Sequence, residues 1–386
     1  MAVYTMQTTK LPASICDDID KTCRKFLWGG ADRGKKVNLV SWNEICQPKG
    51  CGGLGLKKMR LMNEALLMKL VWRLVSSTNE LWVQLLKAKY GDVSPQMSEL
   101  PNTRKGSHLW RSLGKIWSNT LQNIGWAVGN GTVSRFWLDN WLNLEKPLGE
   151  YATRRVPPNN ELEPVAAYVT PEGNWEWSKF QEYLPAEILL KIASTHPPCH
   201  NLGDDGVYWR KSPSGHFSVS SAYREIMQHT TIKNKAWKLI WSWHGPEKIR
   251  TFLWLAFRNA LLTNSTRYKR RLVVEPCCEL CNAKEETTNH VLRECDRALM
   301  VWYKLKVMDV VPNFFEEPFE EWFLANLTSK VVLEEVRWPI LFATASWALW
   351  KSRNKEVIAN EKCDDFNLVS SIRLKLERSN LRMTNS

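Results

Sequence analysis

Cys278 and Cys281, followed by His290 and Cys295, form the pattern C-x2-C-x8-H-x4-C and constrain this chain more than any other feature. Three thiolates and one imidazole at such spacing suit a closed tetrahedral shell around a soft divalent cation, Zn2+ above all, with no open position for a catalytic water. A CxxC pair turns two sulfurs toward one ion because the intervening backbone amides face them. Helical placement of His290 and Cys295 brings the other two ligands to one side. A structural zinc is therefore expected, supplying on the order of 10 kcal/mol of folding free energy to a segment too short for a core of its own. The spacing leaves two alternatives open: Cys277 could replace Cys278 as a C-x3-C variant, and Cys199 with His200 could supply distant ligands. Cys278 is favoured because its two-residue gap is the commoner geometry. A redox pair fits less well, since Pro276 and Cys277 precede the motif where a thioredoxin-type CxxC would follow a buried strand.

The chain has 386 residues, of which 44% are hydrophobic, enough for two or three packed units. Its ten cysteines read as reduced thiols and metal ligands. The N-terminus lacks the basic and apolar regions of a secretory signal, and the longest apolar run, near Leu341 to Trp350, falls short of a membrane span. A nuclear or cytoplasmic protein is expected, with no membrane partner and no small-molecule substrate. Lys and Arg number 53 against 40 Asp and Glu, a formal charge of +13 for which a polyanion is the natural partner.

The basic residues gather beside the cysteine motif. From Pro246, Ile249, Phe252, Leu253, Ala256 and Phe257 follow a helical period, so one face is core. The other carries Lys248, Arg250 and Arg258, and the next segment carries Arg267, Lys269, Arg270 and Arg271 around Tyr268. Cations that neutralise phosphates beside an aromatic that stacks on an unpaired base make a nucleic-acid surface. The same pattern also describes a solvated helical face.

The run from Trp237 to Trp302, with KLIWSWHGPEKIRTFLWLAFRNALLT, CELC and ETTNHVLREC, resembles the zinc-binding domain that follows the reverse transcriptase in plant LINE-type (non-LTR) retrotransposon proteins. YTMQTTKLPASICDDIDKTCRKFLWGG and VSWNEICQPKGCGGLGLKKMRLMNEALLMKLVWRL resemble the stretch downstream of that family's polymerase palm. GWAVGNGTVSRFWLDNWL and DGVYWRKSPSGHFSVSSAYR resemble its connecting region, and FATASWALWKSRNKEV the helix before its RNase H domain. The resemblance implies an RNA-directed DNA polymerase family, but the tetrad of an aromatic, a small residue and two Asp that marks its catalytic palm is not recognisable here, nor are RNase H carboxylates. Asp204-Asp205 lacks the preceding aromatic and sits in a polar turn, and Asp17, Asp18 and Asp20 read as a solvated helix face. No catalytic residue is expected, and the chain reads as an accessory piece of such a polyprotein. A protein-interaction or vestigial zinc fold without nucleic-acid activity is the alternative.

Gly50-Cys51-Gly52-Gly53-Leu54-Gly55 satisfies GxGxxG, yet Pro48 and Lys49 precede it instead of a buried strand, so a tight turn packing the following Leu-rich helix is expected rather than a dinucleotide site. The fold class expected is α+β, mainly α. Four regions are expected: a helical one over 1–95, a connecting one with short β-hairpins over 96–232, a small helical zinc-binding domain over 233–310 and a helical tail over 311–386. Asn130-Gly131 and Ser214-Gly215 are the hairpin-turn signals.

Overall fold

The computed structural model describes residues 2–29, 37–76, 79–227, 234–282, 285–309, 311, 313–333, 335–361 and 368–374. The expected end of the tail, 375–386, lies outside them, as do Gly30 and residues 228–233 at the expected junction before the zinc domain. The described structure is mainly α, with two small two-stranded antiparallel sheets. It divides into two compact units, Met1–Cys23 with Lys57–His229, and Arg24–Leu56 with Thr230–Ser386.

The first unit is organised by the helix Met59–Ser76, a run of Leu, Met, Lys, Arg and Glu residues with little helix-averse content. Its Leu67, Val71 and Leu74 are wholly buried, in a core shared with Trp110, Trp117, Trp209 and Tyr223. The Tyr223 hydroxyl accepts the Lys58 N–H at 3.0 Å, fixing the start of that helix to the helix Val219–Met227. A second core gathers Phe136, Trp137, Tyr168 and Phe180, where the Trp137 indole N–H donates to the Tyr168 hydroxyl at 2.8 Å.

Neither expected hairpin forms among the described residues. The strand Ile124–Ala127 pairs instead with the distant Gly206–Trp209, Ile124 opposite Trp209 and Ala127 opposite Gly206. The reason is Asp205, whose carboxylate captures the loop that Asn130-Gly131 opens. Oδ1 accepts the N–H groups of Gly129 and Gly131, both at 2.8 Å, and Oδ2 those of Val133 and Ser134, both at 2.9 Å. At Ser214-Gly215 the chain completes a turn that brings it back onto Trp209, whose N–H donates to the Gly215 carbonyl at 2.7 Å, and it soon enters a helix rather than a second strand.

Burial works to raise the Asp205 carboxyl, but the amides of Ser134, Val133, Gly129 and Gly131 together outweigh it and hold its pKa below the ordinary value. A depressed carboxyl pKa contributes stability that is present above the unfolded-state value of about 3.9 and is lost as pH falls through the folded value. We expect Asp205→Ala to destabilise the chain by about 2–4 kcal/mol at pH 7, because charge-assisted bonds contribute roughly 1.5–3 kcal/mol each and are not additive. The deficit against wild type should shrink in acid, as followed by urea unfolding between pH 7 and pH 3; a constant deficit would contradict this reading.

The second unit has one large core. The five apolar residues that mark the helix after Pro246 are all buried along Glu247–Phe257, and Trp254, Trp302, Phe314, Trp322, Trp338 and Phe342 join them. Segment 37–56 belongs to this core, not to the Leu-rich helix. The glycine turn is thus a turn, as expected, but its packing partner differs. Gly52 takes φ 86°, and a Cβ there would sit within 2.7–2.9 Å of Trp237 and Arg258. The bare backbone lets the Gly52 carbonyl accept from the Trp254 indole N–H at 2.7 Å and from Arg258 Nη1 at 2.9 Å. No described helix is long and apolar enough to cross a membrane.

Candidate metal centre

The ligand atoms of Cys278, Cys281, His290 and Cys295 all lie within 4.8 Å of one another. Cys278, His290 and Cys295 are buried and Cys281 is half-buried. The knuckle is a tight turn closed by the Asn282 N–H on the Cys278 carbonyl at 2.8 Å, with Asn282 left-handed at φ 55°. It directs the amides of Leu280 and Cys281 at the Cys278 sulfur. Cys277 is exposed, its backbone bridged to Glu285, so the turn offers Cys278 and not Cys277 to the cluster. Cys199 and His200 are both exposed in the first unit.

A single π turn, His290–Glu294, begins at one of the other two ligands and is capped by the second, Cys295. The Cys295 N–H reaches back five residues to the His290 carbonyl at 2.8 Å. In an α-helix residues five apart stand about 140° around the axis from each other, too far round to share an ion. The wider turn closes that gap, which is why x4 spacing works here. Buried Arg293 anchors the turn from behind, donating to the Glu317 carbonyl at 2.7 Å and lying 5.0 Å over the Trp322 ring.

The donor set fits a tetrahedral zinc. Zn–S bonds of roughly 2.3 Å and Zn–N bonds of roughly 2.0–2.1 Å imply edges of about 3.8 Å between sulfurs and about 3.6 Å between sulfur and nitrogen. Cys278 Sγ lies 3.9 Å from Cys295 Sγ, and Cys281 Sγ lies 3.4 Å from His290 Nε2. The two buried thiols stand within hydrogen-bonding reach, so that one can donate its proton to the other. The hydrogen bond from Cys295 leads in holding Cys278 down to about 3, against burial, and the same bond with burial pushes Cys295 up. A divalent cation would displace that proton and take both as thiolates.

A buried network with no counterpart among the expected site residues backs this cluster. Arg353, on the helix Trp338–Val357, is 1% exposed and places Nη2 at 2.5 Å from Glu286 Oε1 and Nε at 3.2 Å from Oε2. Burial raises the Glu286 carboxyl even with this guanidinium against it. Glu286 also accepts the Asn264 N–H at 2.6 Å, and Asn264 Nδ2 donates to the Cys277 carbonyl at 3.0 Å, so one network ties the knuckle to two helices. Cys278, Glu286, Cys295 and Arg353 line one small cavity. A signal exists in the sequence: Arg353 continues the stripe Phe342, Ser346, Leu349 at helical spacing, where a cation must find a buried partner.

The eight basic-patch residues divide by role. Arg258 is held by the Gly52 carbonyl, by Glu44 at 2.5 Å and by the faces of Trp237 and Trp254 at 5.4 and 5.8 Å. Arg250 pairs with Glu247 at 3.0 Å and reaches two backbone carbonyls. Arg270 donates to the carbonyls of Asn38 and Leu39 at 2.7 and 3.0 Å, and Arg267 donates to Asn264 Oδ1 at 2.7 Å with Glu279 at 3.9 Å. Lys248, Tyr268, Lys269 and Arg271 remain exposed, and no ion pair joins these three cations to a described acidic residue.

Comparison with known proteins gives this geometry a setting. The family profile described as zinc-binding in reverse transcriptase matches residues 217–302, which include all four clustered ligands. An Arabidopsis thaliana protein named "Putative ribonuclease H protein" is 32% identical over 374 residues, covering 95% of this chain, which spans 60% of that relative's length. An uncharacterized mitochondrial protein of Arabidopsis thaliana is 30% identical over 151 residues, 38% of this chain and 96% of the relative. With the zinc-binding profile matched and nearly the whole of the mitochondrial protein aligned, the chain belongs to a reverse-transcriptase-related family that carries this zinc-binding domain.

Proposed function

We propose that this chain is a non-catalytic, nucleic-acid-holding part of a LINE-type (non-LTR) retrotransposon reverse transcriptase of plant type, with one structural zinc on Cys278, Cys281, His290 and Cys295. The observation that carries the nucleic-acid reading is that Lys269 and Arg271, which adjoin exposed Tyr268 in the chain, and Lys248, on the helix Glu247–Phe257 of the same unit, are exposed and form no ion pair with a described acidic residue. A fold that ties down Arg250, Arg258 and Arg270 and leaves these three open offers cations for phosphates, two of them adjoining a ring that can stack on a base. Asp205, whose carboxylate is occupied by the amides of the distant loop 129–134, supports a structural and not a catalytic role for the Asp204-Asp205 pair. The proposed site of action is the nucleus or cytoplasm, with RNA or DNA as partner.

Titration of the zinc-loaded chain with labelled single-stranded RNA and DNA tests this. Three phosphate contacts predict a slope of about −2 for log affinity against log salt concentration. Replacing Lys248, Lys269 and Arg271 with Ala should flatten the slope at unchanged zinc content. Absence of binding at about 50 mM salt, where phosphate contacts are strong, would leave the protein-interaction reading in its place.

A further inference from the structure

The turn between the helix Asn264–Lys269 and the cysteine knuckle exposes apolar side chains with no task inside the fold. Val274 is 90% exposed and Leu272 49%, next to Tyr268 at 49%. The turn that carries them is anchored at both ends. Arg271 is left-handed at φ 57°, its N–H donates to the Tyr268 carbonyl and the Leu272 N–H to the Arg267 carbonyl, both at 2.9 Å. On the far side the Glu286 N–H holds the Pro276 carbonyl at 2.8 Å, and Cys277 is bridged to Glu285. Lys269 and Arg271 flank the tip on the helix side, and Glu275 follows it. A fixed apolar point beside cations matches the ends of a base stack, where flat apolar faces lie between phosphates.

Resting on the nucleic-acid reading above, we propose that Leu272 and Val274 form a wedge that packs on the terminal base pair where a duplex opens into single strand, with Lys269 and Arg271 on the adjoining phosphates and Tyr268 on the first unpaired base. The tip would thus select a primer or target junction over uninterrupted duplex.

The zinc-loaded full chain is tested on a DNA hairpin with a single-stranded extension and 2-aminopurine at the junction, against a blunt duplex of equal length. Wild type should raise the 2-aminopurine fluorescence and bind the junction about tenfold more tightly, roughly 1.4 kcal/mol. Leu272→Ser with Val274→Ser should abolish both the fluorescence change and the preference while keeping zinc, melting temperature and salt slope. Lys269→Ala with Arg271→Ala should weaken binding to both substrates and flatten the salt slope by roughly 1.5. Wild-type binding with no fluorescence change, or serine variants that lose affinity equally for both substrates or for neither, would overturn the wedge and leave the general reading standing. Failure of wild type to bind either substrate would overturn the wedge, and failure to bind single-stranded RNA as well would overturn both.

Discussion

Cys278→Ser is expected to lose the metal and to open the knuckle, whereas Cys277→Ser, one residue away, leaves both unchanged. The contrast follows from burial. Cys278 lies inside the cluster and Cys277 faces solvent. Structural zinc sites of four ligands provide roughly 10–16 kcal/mol, so deleting one ligand should remove on the order of 3 kcal/mol or more. Chelation of wild type should act in the same direction and locally. Amide protection should fall over 276–282 and 285–295, while the helices Glu247–Phe257 and Trp338–Val357 persist, because Phe252, Trp254, Trp338 and Phe342 form a core that does not depend on the metal for its apolar burial. Elemental analysis should find one zinc per chain. A purified chain without zinc that melts identically with and without chelator would refute the assignment, and equal metal loss from the two serine variants would refute the ligand register.

The second large effect is expected at Arg353. Arg353→Met keeps much of the side-chain volume but leaves Glu286, itself fully buried, facing no cation. Removing one partner of such a pair destabilises by about 3–5 kcal/mol, whereas removing both charges together is often nearly neutral. Arg353→Met combined with Glu286→Gln should therefore recover a large part of the loss, since Gln keeps an acceptor for the Asn264 N–H. Denaturant unfolding of the two single variants and the double gives the coupling directly. Additive losses would show that the pair contributes through packing alone. Zinc affinity should fall in the Arg353 variant too, because Asn264 and Glu286 hold the carbonyls of Cys277 and Pro276 that lead into the knuckle.

Much of the second unit is legible in the amino-acid sequence because its signals are local. The apolar period after Pro246 identifies the buried face of Glu247–Phe257, and the spacing of Cys278, Cys281, His290 and Cys295 identifies the residues that converge. What escapes are interactions between residues far apart in the chain. Asn130-Gly131 signals a hairpin by local rules, and only the carboxylate of Asp205 redirects it. The stripe that ends in Arg353 is visible, but nothing local points to Glu286 as its partner. The basic residues show the opposite limit, for sequence alone cannot separate Arg258, fixed between two tryptophans, from Lys269, which is open to solvent.

The glycine turn bears on how such a domain can be transplanted. A segment cut at residues 217 and 302 would carry every metal ligand and the whole family signature. It would nevertheless strip Trp254 and Arg258 of the Gly52 carbonyl and Glu286 of Arg353. The ligands are therefore portable while their support is not, and selection acting on metal binding must reach positions that lie outside the recognisable motif on both sides.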